Sequence, residues 1–235
     1  MALAAATALA AATAQAQQYD ELPTINPTAT YTTDDGEEES EDYSGNAPLA
    51  GRFEANPENV GDYTANYEWH FTKEGETEPY LIRYEQDTQY TFNEAGTHNI
   101  ELYATFINGN DTVAYTQEYW ADRGPLRVTV SESRLEMPNA FSPNGDGIND
   151  IYKAKSDYQS IVEFHASIYN RWGKKLYEWN DPAGGWDGKS GGKDVAQGVY
   201  FVLVKARGAD GKEYNIKRDV NLLRGYTEES GGISN

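Results

Sequence analysis

The segment at residues 142–150 has the arrangement of oxygen-bearing side chains that most resembles a metal site. A calcium loop of the D-x-N-x-D-G-x-x-D kind needs carboxylate and amide oxygens at alternate positions and a glycine at its turn. Ser142 takes the place of the first acid, and Lys153 stands where a helix–loop–helix site has its bidentate glutamate. Two interpretations stay open: a weak calcium site, and a turn held by Asx hydrogen bonds without metal. The candidate calcium ligands are Asn144, Asp146 and Asp150.

Motifs that carry catalysis are scarce. The patterns H-E-x-x-H, G-x-x-x-x-G-K and G-x-G-x-x-G do not occur in the sequence. His70, His98 and His165 fall on separate predicted strands, at spacings unlike those of metal ligands. We therefore predict a protein that is not an enzyme and has no cofactor, apart from the calcium alternative. An enzyme with an unrecognised carboxylate site stays open as well, because the many Asp and Glu residues could form a pair in space.

The net charge excludes one class of partner. The chain has 235 residues with 38 acidic and 19 basic side chains, so its formal net charge is −19. Such a chain repels phosphate backbones, and we predict no nucleic-acid partner. It contains no cysteine, which excludes disulfides and thiolate chemistry. Residues 52–133 hold 15 acidic and 5 basic residues, whereas residues 134–235 hold 14 of each, which indicates two different regions.

The N-terminal residues have the pattern of an export signal. Residues 1–16 are small and mostly apolar and end in A-Q-A, an A-x-A cleavage pattern, so we predict a signal peptide there. The alternative is an alanine-rich tail. Residues 17–46 form an acidic, polar lead-in. Within it, residues 28–32 alternate as a first strand would, and residues 34–42 are predicted to be a solvated loop or linker.

Residues 47–133 have the periodicity of short β-strands. Apolar side chains alternate with polar ones in the segments 67–71, 100–106 and 126–130, and turn residues lie between them. Strands at this spacing without helical periodicity predict an antiparallel β-sandwich.

Two motifs in this region resemble a PKD-type, immunoglobulin-like domain. Residues 67–71 (Y-E-W-H-F) resemble the Y-x-W-x-F strand of that family, and residues 90–100 resemble its return hairpin. The usual G-D-G after the strand is replaced by T-K-E-G at residues 72–75. The resemblance implies a spacer or binding module. In addition, Asp111-Thr112-Val113 resembles a bacterial O-glycosylation acceptor, with Thr112 as the modified residue.

Residues 134–224 predict a second β-sandwich. Residues 199–204 are apolar at every position, which is typical of a central strand buried on both faces. Residues 171–173 and 209–211 predict the turns of two hairpins. The core is expected around Trp172, Trp186 and Tyr200. The predicted fold class is therefore all-β, with two immunoglobulin-like antiparallel β-sandwich domains in tandem.

Five motifs in this second region resemble a known sorting domain. They are M-P-N-A-F-S-P-N-G-D-G-I-N-D at 137–150, I-Y-N-R-W-G at 168–173, W-D-G at 186–188, G-V-Y-F-V-L-V at 198–204 and V-N-L-L-R at 220–224. Their order and spacing closely resemble the gliding-motility-associated C-terminal domain, which is the type B sorting domain of type IX secretion. The polar residues 225–235 follow these motifs and are predicted to be a disordered tail.

The resemblance implies an exported, non-catalytic protein at the cell surface or in the medium, reached through the periplasm. Its partners would be the outer-membrane type IX export apparatus and a dedicated membrane protein, and the PKD-like module would do adhesion or structural work on other surface proteins or glycans. The alternative is a glycan-binding subunit that uses aromatic residues of residues 47–133. The candidate sorting-recognition residues are Asn144, Gly145, Asp146, Gly147, Asn149, Asp150, Arg171, Trp172, Gly173 and Arg224, the last as a planar fork for a partner carboxylate.

Overall fold

The structure, a computed structural model, describes residues 22–33 and 36–224. The signal peptide predicted at residues 1–16 and the tail predicted at residues 225–235 lie outside the described residues. Within the described ranges the chain forms seventeen strands and one short helix, which confirms the all-β prediction.

Strands β1 to β10 form the N-terminal sandwich from two sheets. One sheet has the order β2-β1-β4-β7, and the other has the order β3-β10-β8-β5-β6, with β9 also paired to β8. The strands are β1 (Thr28–Thr33), β2 (Gly36–Glu39), β3 (Asp42–Gly45), β4 (Leu49–Glu54), β5 (Thr64–Lys73), β6 (Leu81–Arg83), β7 (Thr88–Phe92), β8 (Gly96–Asn108), β9 (Asp111–Tyr115) and β10 (Leu126–Val130).

Aromatic rings fill the space between these two sheets. Phe53 from one sheet lies 5.9 Å from Trp69 and 5.4 Å from Phe71 of the other, measured between ring centroids. All three side chains are fully buried, and the Trp69 Nε1–H donates a hydrogen bond to the Gln86 carbonyl at 3.0 Å. The alternation seen in segment 67–71 therefore marks the face of β5 that enters the core.

Residues 22–33 and 36–46 of the acidic lead-in are part of this sandwich, and the prediction of a loop at residues 34–42 is wrong where strands β2 and β3 form. Strand β2 pairs with β1, and β3 pairs in parallel with β10. Tyr43 of β3 stacks on the buried Tyr31 of β1 at 4.4 Å between centroids. The carboxylates of β2 all point to solvent, so an edge strand forms without burying charge.

A helix that the sequence did not predict connects β9 to β10. Helix α1 (Gln117–Arg123) has seven residues, too few for apolar periodicity to reveal it. Trp120 fixes it to the sandwich: its ring is buried, and its Nε1–H donates to the Leu102 carbonyl at 2.8 Å. Across the described residues, no helix has the length and apolar character that crossing a membrane requires.

The C-terminal sandwich is built on one five-stranded sheet with the order β11-β17-β16-β12-β13. The predicted turns at residues 171–173 and 209–211 do connect hairpins, between β12 and β13 and between β16 and β17. The strands are β11 (Ala140–Phe141), β12 (Ile161–Tyr169), β13 (Lys175–Trp179), β14 (Lys189–Ser190), β15 (Lys193–Asp194), β16 (Gly198–Gly208) and β17 (Glu213–Leu222), with β14 and β15 forming a small separate hairpin.

Two predictions about the core of this sandwich are wrong. Strand β16 is central, but Val199 and Phe201 are 50% and 43% exposed, because only one face of the sheet is covered. Trp172 is 75% exposed at a hairpin tip and takes no part in the core. Trp186 and Tyr200 are buried as expected, with their rings 5.2 Å apart.

The two sandwiches meet at one end of the C-terminal sheet. The Ala95 N–H donates to the Ala209 carbonyl at 3.0 Å, and the Ala47 N–H donates to Ser160 Oγ at 3.1 Å. Ala209 is 7% exposed and packs among the core residues of the N-terminal sandwich. Backbone groups, the Ser160 hydroxyl and a small apolar side chain therefore contribute to this junction.

Candidate functional site

Strand direction brings three candidate recognition segments to one end of the C-terminal sandwich. Strand β16 is antiparallel to both β12 and β17, and β11 is parallel to β17, so β11, β12 and β17 all run the same way. Their last residues therefore lie at the same end of the sheet. We call this the distal end and define it as residues 142–150, 170–174 and 223–224.

The opposite end, the proximal end, is the one that contacts the N-terminal sandwich. It contains the start of β12 and the hairpin at residues 208–213. Strands in a sheet are about 4.8 Å apart, so the exits of β11 and β12, with β17 and β16 between them, are separated by roughly 15 Å. A single protein partner with an interface of ordinary size covers that distance.

The carboxylate of Asp150 organises the loop at residues 142–150. Its Oδ1 accepts hydrogen bonds from the N–H groups of Asn144 at 2.9 Å and Gly145 at 2.7 Å, and its Oδ2 accepts one from the Gly147 N–H at 2.8 Å. The hydrogen bonds from Gly145, then Gly147 and Asn144, hold the pKa of Asp150 below its usual range, because they stabilise the charged form.

The side chains of Asn144 and Asp146, the other two candidate calcium ligands, also accept hydrogen bonds from backbone N–H groups. Asn144 Oδ1 accepts from the Asp146 N–H at 3.0 Å, and Asp146 Oδ1 accepts from the Ile148 N–H at 2.8 Å. Gly145 and Gly147 have φ values of 84° and 85°, a conformation that glycine adopts without strain. This geometry favours the interpretation of an Asx-bonded loop.

Calcium binding by this loop stays a prediction. In the described part of the chain, no group of three or more His, Cys, Asp or Glu side chains is arranged to hold a metal ion.

The hairpin tip after β12 presents an aromatic ring to solvent. Asn170 Oδ1 accepts hydrogen bonds from the N–H groups of Trp172 and Lys174, both at 3.0 Å, which fixes the turn. The guanidinium of Arg171 lies 4.2 Å from the centroid of the Trp172 ring. Stacking on a cation restrains the exposed ring. Tryptophan and arginine are the residue types most enriched among energetic hot spots of protein interfaces.

A concave surface connects this tip to the last strand. It lies on the uncovered face of the sheet, where Phe201 of β16 stands between Tyr169 of β12 and Asp219 of β17. Its other lining residues include Arg171, Leu203 and Lys217. The structure therefore brings the hairpin tip next to residues 217–219 of β17.

Arg224 also lies at the distal end, but its donors are directed into the protein. Its Nε–H donates to the Val195 carbonyl at 3.0 Å and its Nη2–H donates to the Gly188 carbonyl at 2.7 Å. Its Nη1 is 3.5 Å from the Pro143 carbonyl, and Asp194 lies 3.4 Å from Nη2. Little of the planar fork remains available for a partner carboxylate.

The three histidines do not meet. His98 is buried, lies 3.0 Å from both the Tyr80 hydroxyl and the Glu94 carbonyl, and has a pKa lowered by its burial. His70 lies beside Glu68 at 3.2 Å, and His165 lies beside Asn180 at 2.7 Å. Each histidine has a local structural partner.

One short pattern escaped the sequence reasoning. Residues 188–192 spell G-x-S-x-G, the pattern of a nucleophile elbow, which requires a strand-to-helix turn. Here the pattern forms the small hairpin of β14 and β15, and Ser190 Oγ donates to the Leu176 carbonyl at 3.3 Å. This serine is therefore held as part of a β-turn.

The other predicted surface sites lie on the N-terminal sandwich. Its largest rings are in the core, and Tyr84 and Tyr80, 70% and 39% exposed, are its large exposed aromatic side chains. Glycan binding by aromatic residues of this sandwich stays a prediction. Thr112 is exposed on β9, opposite Ile107 of β8, and its glycosylation stays a prediction.

Comparison with known families gives a match for the C-terminal sandwich. Residues 135–218 match the family model of the CHU_C Type IX secretion signal domain. No curated protein matches the chain. The match confirms the prediction of a type IX sorting domain in this region, and it indicates export toward the cell surface or the extracellular space by the type IX secretion machinery. The PKD-like character of the N-terminal sandwich stays a prediction.

Proposed function

We propose that this chain is a non-catalytic cargo of type IX secretion whose sorting domain, of type B, is recognised at its distal end. The protein passes through the periplasm, and the outer-membrane export apparatus or a dedicated membrane partner binds the folded domain. The N-terminal sandwich then performs adhesion or structural work at the cell surface or in the medium. The observation that carries the proposal is that motifs near residues 144, 172 and 224 lie together, at the end opposite the junction.

The exposed side chain of Trp172 supports this assignment. A buried tryptophan stabilises a fold, but a ring that is 75% exposed adds little to stability and costs solubility. A partner that covers it gains a large apolar contact with a restrained side chain. The neighbouring Phe201, 43% exposed on the uncovered sheet face, extends the apolar area.

The described carboxyls whose pKa is shifted favour the charged form. A general acid that works near neutral pH needs a raised pKa. Among the described carboxyls whose pKa is shifted, every shift is downward. Ion pairs or backbone hydrogen bonds are among the causes at each of these positions, which are Glu94, Glu136, Asp150, Glu163, Glu178 and Asp210.

The proposal is tested with the full chain in a host that has type IX secretion. The fraction of protein outside the outer membrane is measured for the parent chain, for Trp172→Ala and for Tyr84→Ala, which removes an aromatic ring of similar exposure from the other sandwich. We expect Trp172→Ala to accumulate in the periplasm and Tyr84→Ala to be exported like the parent. Equal export of all three chains contradicts recognition at the hairpin tip.

A further inference from the structure

Arg224 bonds the segment at residues 188–195 to the end of the sheet. Arg224 follows β17 directly, and the preceding Leu223 N–H donates to the Phe141 carbonyl at 3.0 Å, which anchors the chain beside β11. From this anchored position the guanidinium reaches the carbonyls of Gly188 and Val195 at 2.7 and 3.0 Å. One side chain therefore joins the end of β17 to the segment at residues 188–195.

Close packing extends this connection to the loop at residues 142–150. A side-chain carbon added at Gly188 would lie 3.0 Å from Pro143 Cγ and 3.1 Å from Arg224 Nη2. Gly188 also has a φ of 78°, so no other residue fits there without strain. Pro143 precedes Asn144, whose N–H is held by Asp150. Gly188 and Arg224 therefore pack against Pro143, at the base of the loop.

We propose that Arg224 is a positioning residue, which holds the distal end in the conformation that the export machinery recognises. The inference rests on the proposed function. A chain that lacks Arg224 still contains the motifs at residues 137–150 and 168–173, but it presents the loop at residues 142–150 without its support.

The chemistry of the contact makes arginine specific. The guanidinium directs N–H groups along several fixed directions in one plane and so bonds carbonyls from different segments together. A lysine ammonium keeps the charge near Asp194 but places its donors on one atom at the end of a flexible stem. Arg224→Lys therefore preserves the charge and removes the connection.

The experiment compares Arg224→Lys with Arg207→Lys in the full chain. Arg207 forms an exposed ion pair with Glu163 near the proximal end, so its substitution is a matched control. Amide hydrogen exchange is measured at Asn144, Gly145 and Gly147, and at Val202 and Val204 in the centre of the sheet. Export is measured in parallel.

We expect Arg224→Lys to speed exchange of the three loop amides about tenfold or more, to leave the β16 amides unchanged and to reduce export. Arg207→Lys should match the parent in all three measurements. Unchanged loop exchange overturns the inference even if export falls, because Arg224 then acts by contacting the partner. Faster exchange in β16 as well, or full export with a loosened loop, also overturns it. If the parent chain is not exported, the proposed function is overturned. The exchange measurement then still decides whether Arg224 holds the loop at residues 142–150.

Discussion

The two ends of the C-terminal sandwich satisfy their polar groups in different ways. At the proximal end, backbone groups bond across to the other sandwich, as in the hydrogen bond between Ala95 and Ala209. At the distal end, each loop is bonded within the same sandwich, by Asp150, Asn170 and Arg224. An end that is already satisfied keeps its shape without a partner and can present an exposed ring such as Trp172. The proximal end connects the two sandwiches, and the distal end is the one that a partner can contact.

The largest expected effect separates two tryptophans of this sandwich, Trp186 and Trp172. Trp186 is fully buried, and Trp186→Ala should lower the free energy of unfolding by about 3–5 kcal/mol, because it leaves a cavity beside Tyr200. Trp172→Ala should change it by less than about 0.5 kcal/mol, because the ring is in solvent. Denaturant unfolding of both variants measures the difference. A large loss of stability in Trp172→Ala would show that the distal tip is structural.

A smaller loss of stability is expected from adding a methyl group at Gly208, at the proximal end. A Cβ at Gly208 would lie 2.0 Å from Ser133 Oγ and 2.3 Å from Ser133 Cβ. Gly208→Ala should therefore destabilise the protein by about 1–3 kcal/mol, as overpacking does. Thermal unfolding provides the measurement.

Adding Ser133→Gly to this variant tests the cause. The second substitution removes the two Ser133 atoms and should restore part of the lost stability. Asp210 Oδ1, 2.5 Å from the added Cβ, still has to shift, and the hydrogen bond from Ser133 to Asp210 is lost. If the double variant is less stable than the sum of the single effects predicts, the clash at the junction is not the cause.

The sequence predicts a structural feature well when neighbouring residues produce it. It predicts the feature poorly when residues distant in the chain produce it. The alternation in segments such as 67–71 predicts β5, because the inner face of a strand repeats every second residue. The glutamates of β2 carry no such signal, since pairing to β1 determines that strand. The three segments of the distal end lie together because of the strand order and direction of the sheet. Local sequence does not specify that order. Arg224 bonds carbonyls 29 and 36 residues away, so its role was equally hidden.

A fall in pH should release the hydrogen bonds that Asp150 accepts at the distal end. The folded pKa of Asp150 lies below its ordinary value, so its bonds stabilise the folded loop fully above the unfolded-state pKa of about 3.9 and are lost as the pH falls through the folded value. We expect the amide chemical shifts of Gly145 and Gly147 to stay constant down to about pH 4 and then to titrate together. Asp150→Asn should abolish this step. A midpoint above pH 4 in the parent protein would contradict the hydrogen-bonded loop.

The smallest effect is expected from calcium. Because Asp150 already accepts three backbone hydrogen bonds, millimolar calcium should leave the melting temperature and the Gly145 and Gly147 amide signals unchanged. Calorimetry and amide spectra, each repeated after chelation, measure this. Saturable shifts at these two glycines would instead support a calcium site at the distal end.

Fusing the C-terminal sandwich to another protein tests directly whether this sandwich is an export address. Residues 134–235 are fused to an inert periplasmic reporter in a host with type IX secretion, and protease resistance verifies that the sandwich folds. We expect the folded reporter to reach the cell surface or the medium. We expect the same fusion with Trp172→Ala to remain in the periplasm. A parent fusion that stays periplasmic while folded and undegraded would contradict the claim that this sandwich is an export address.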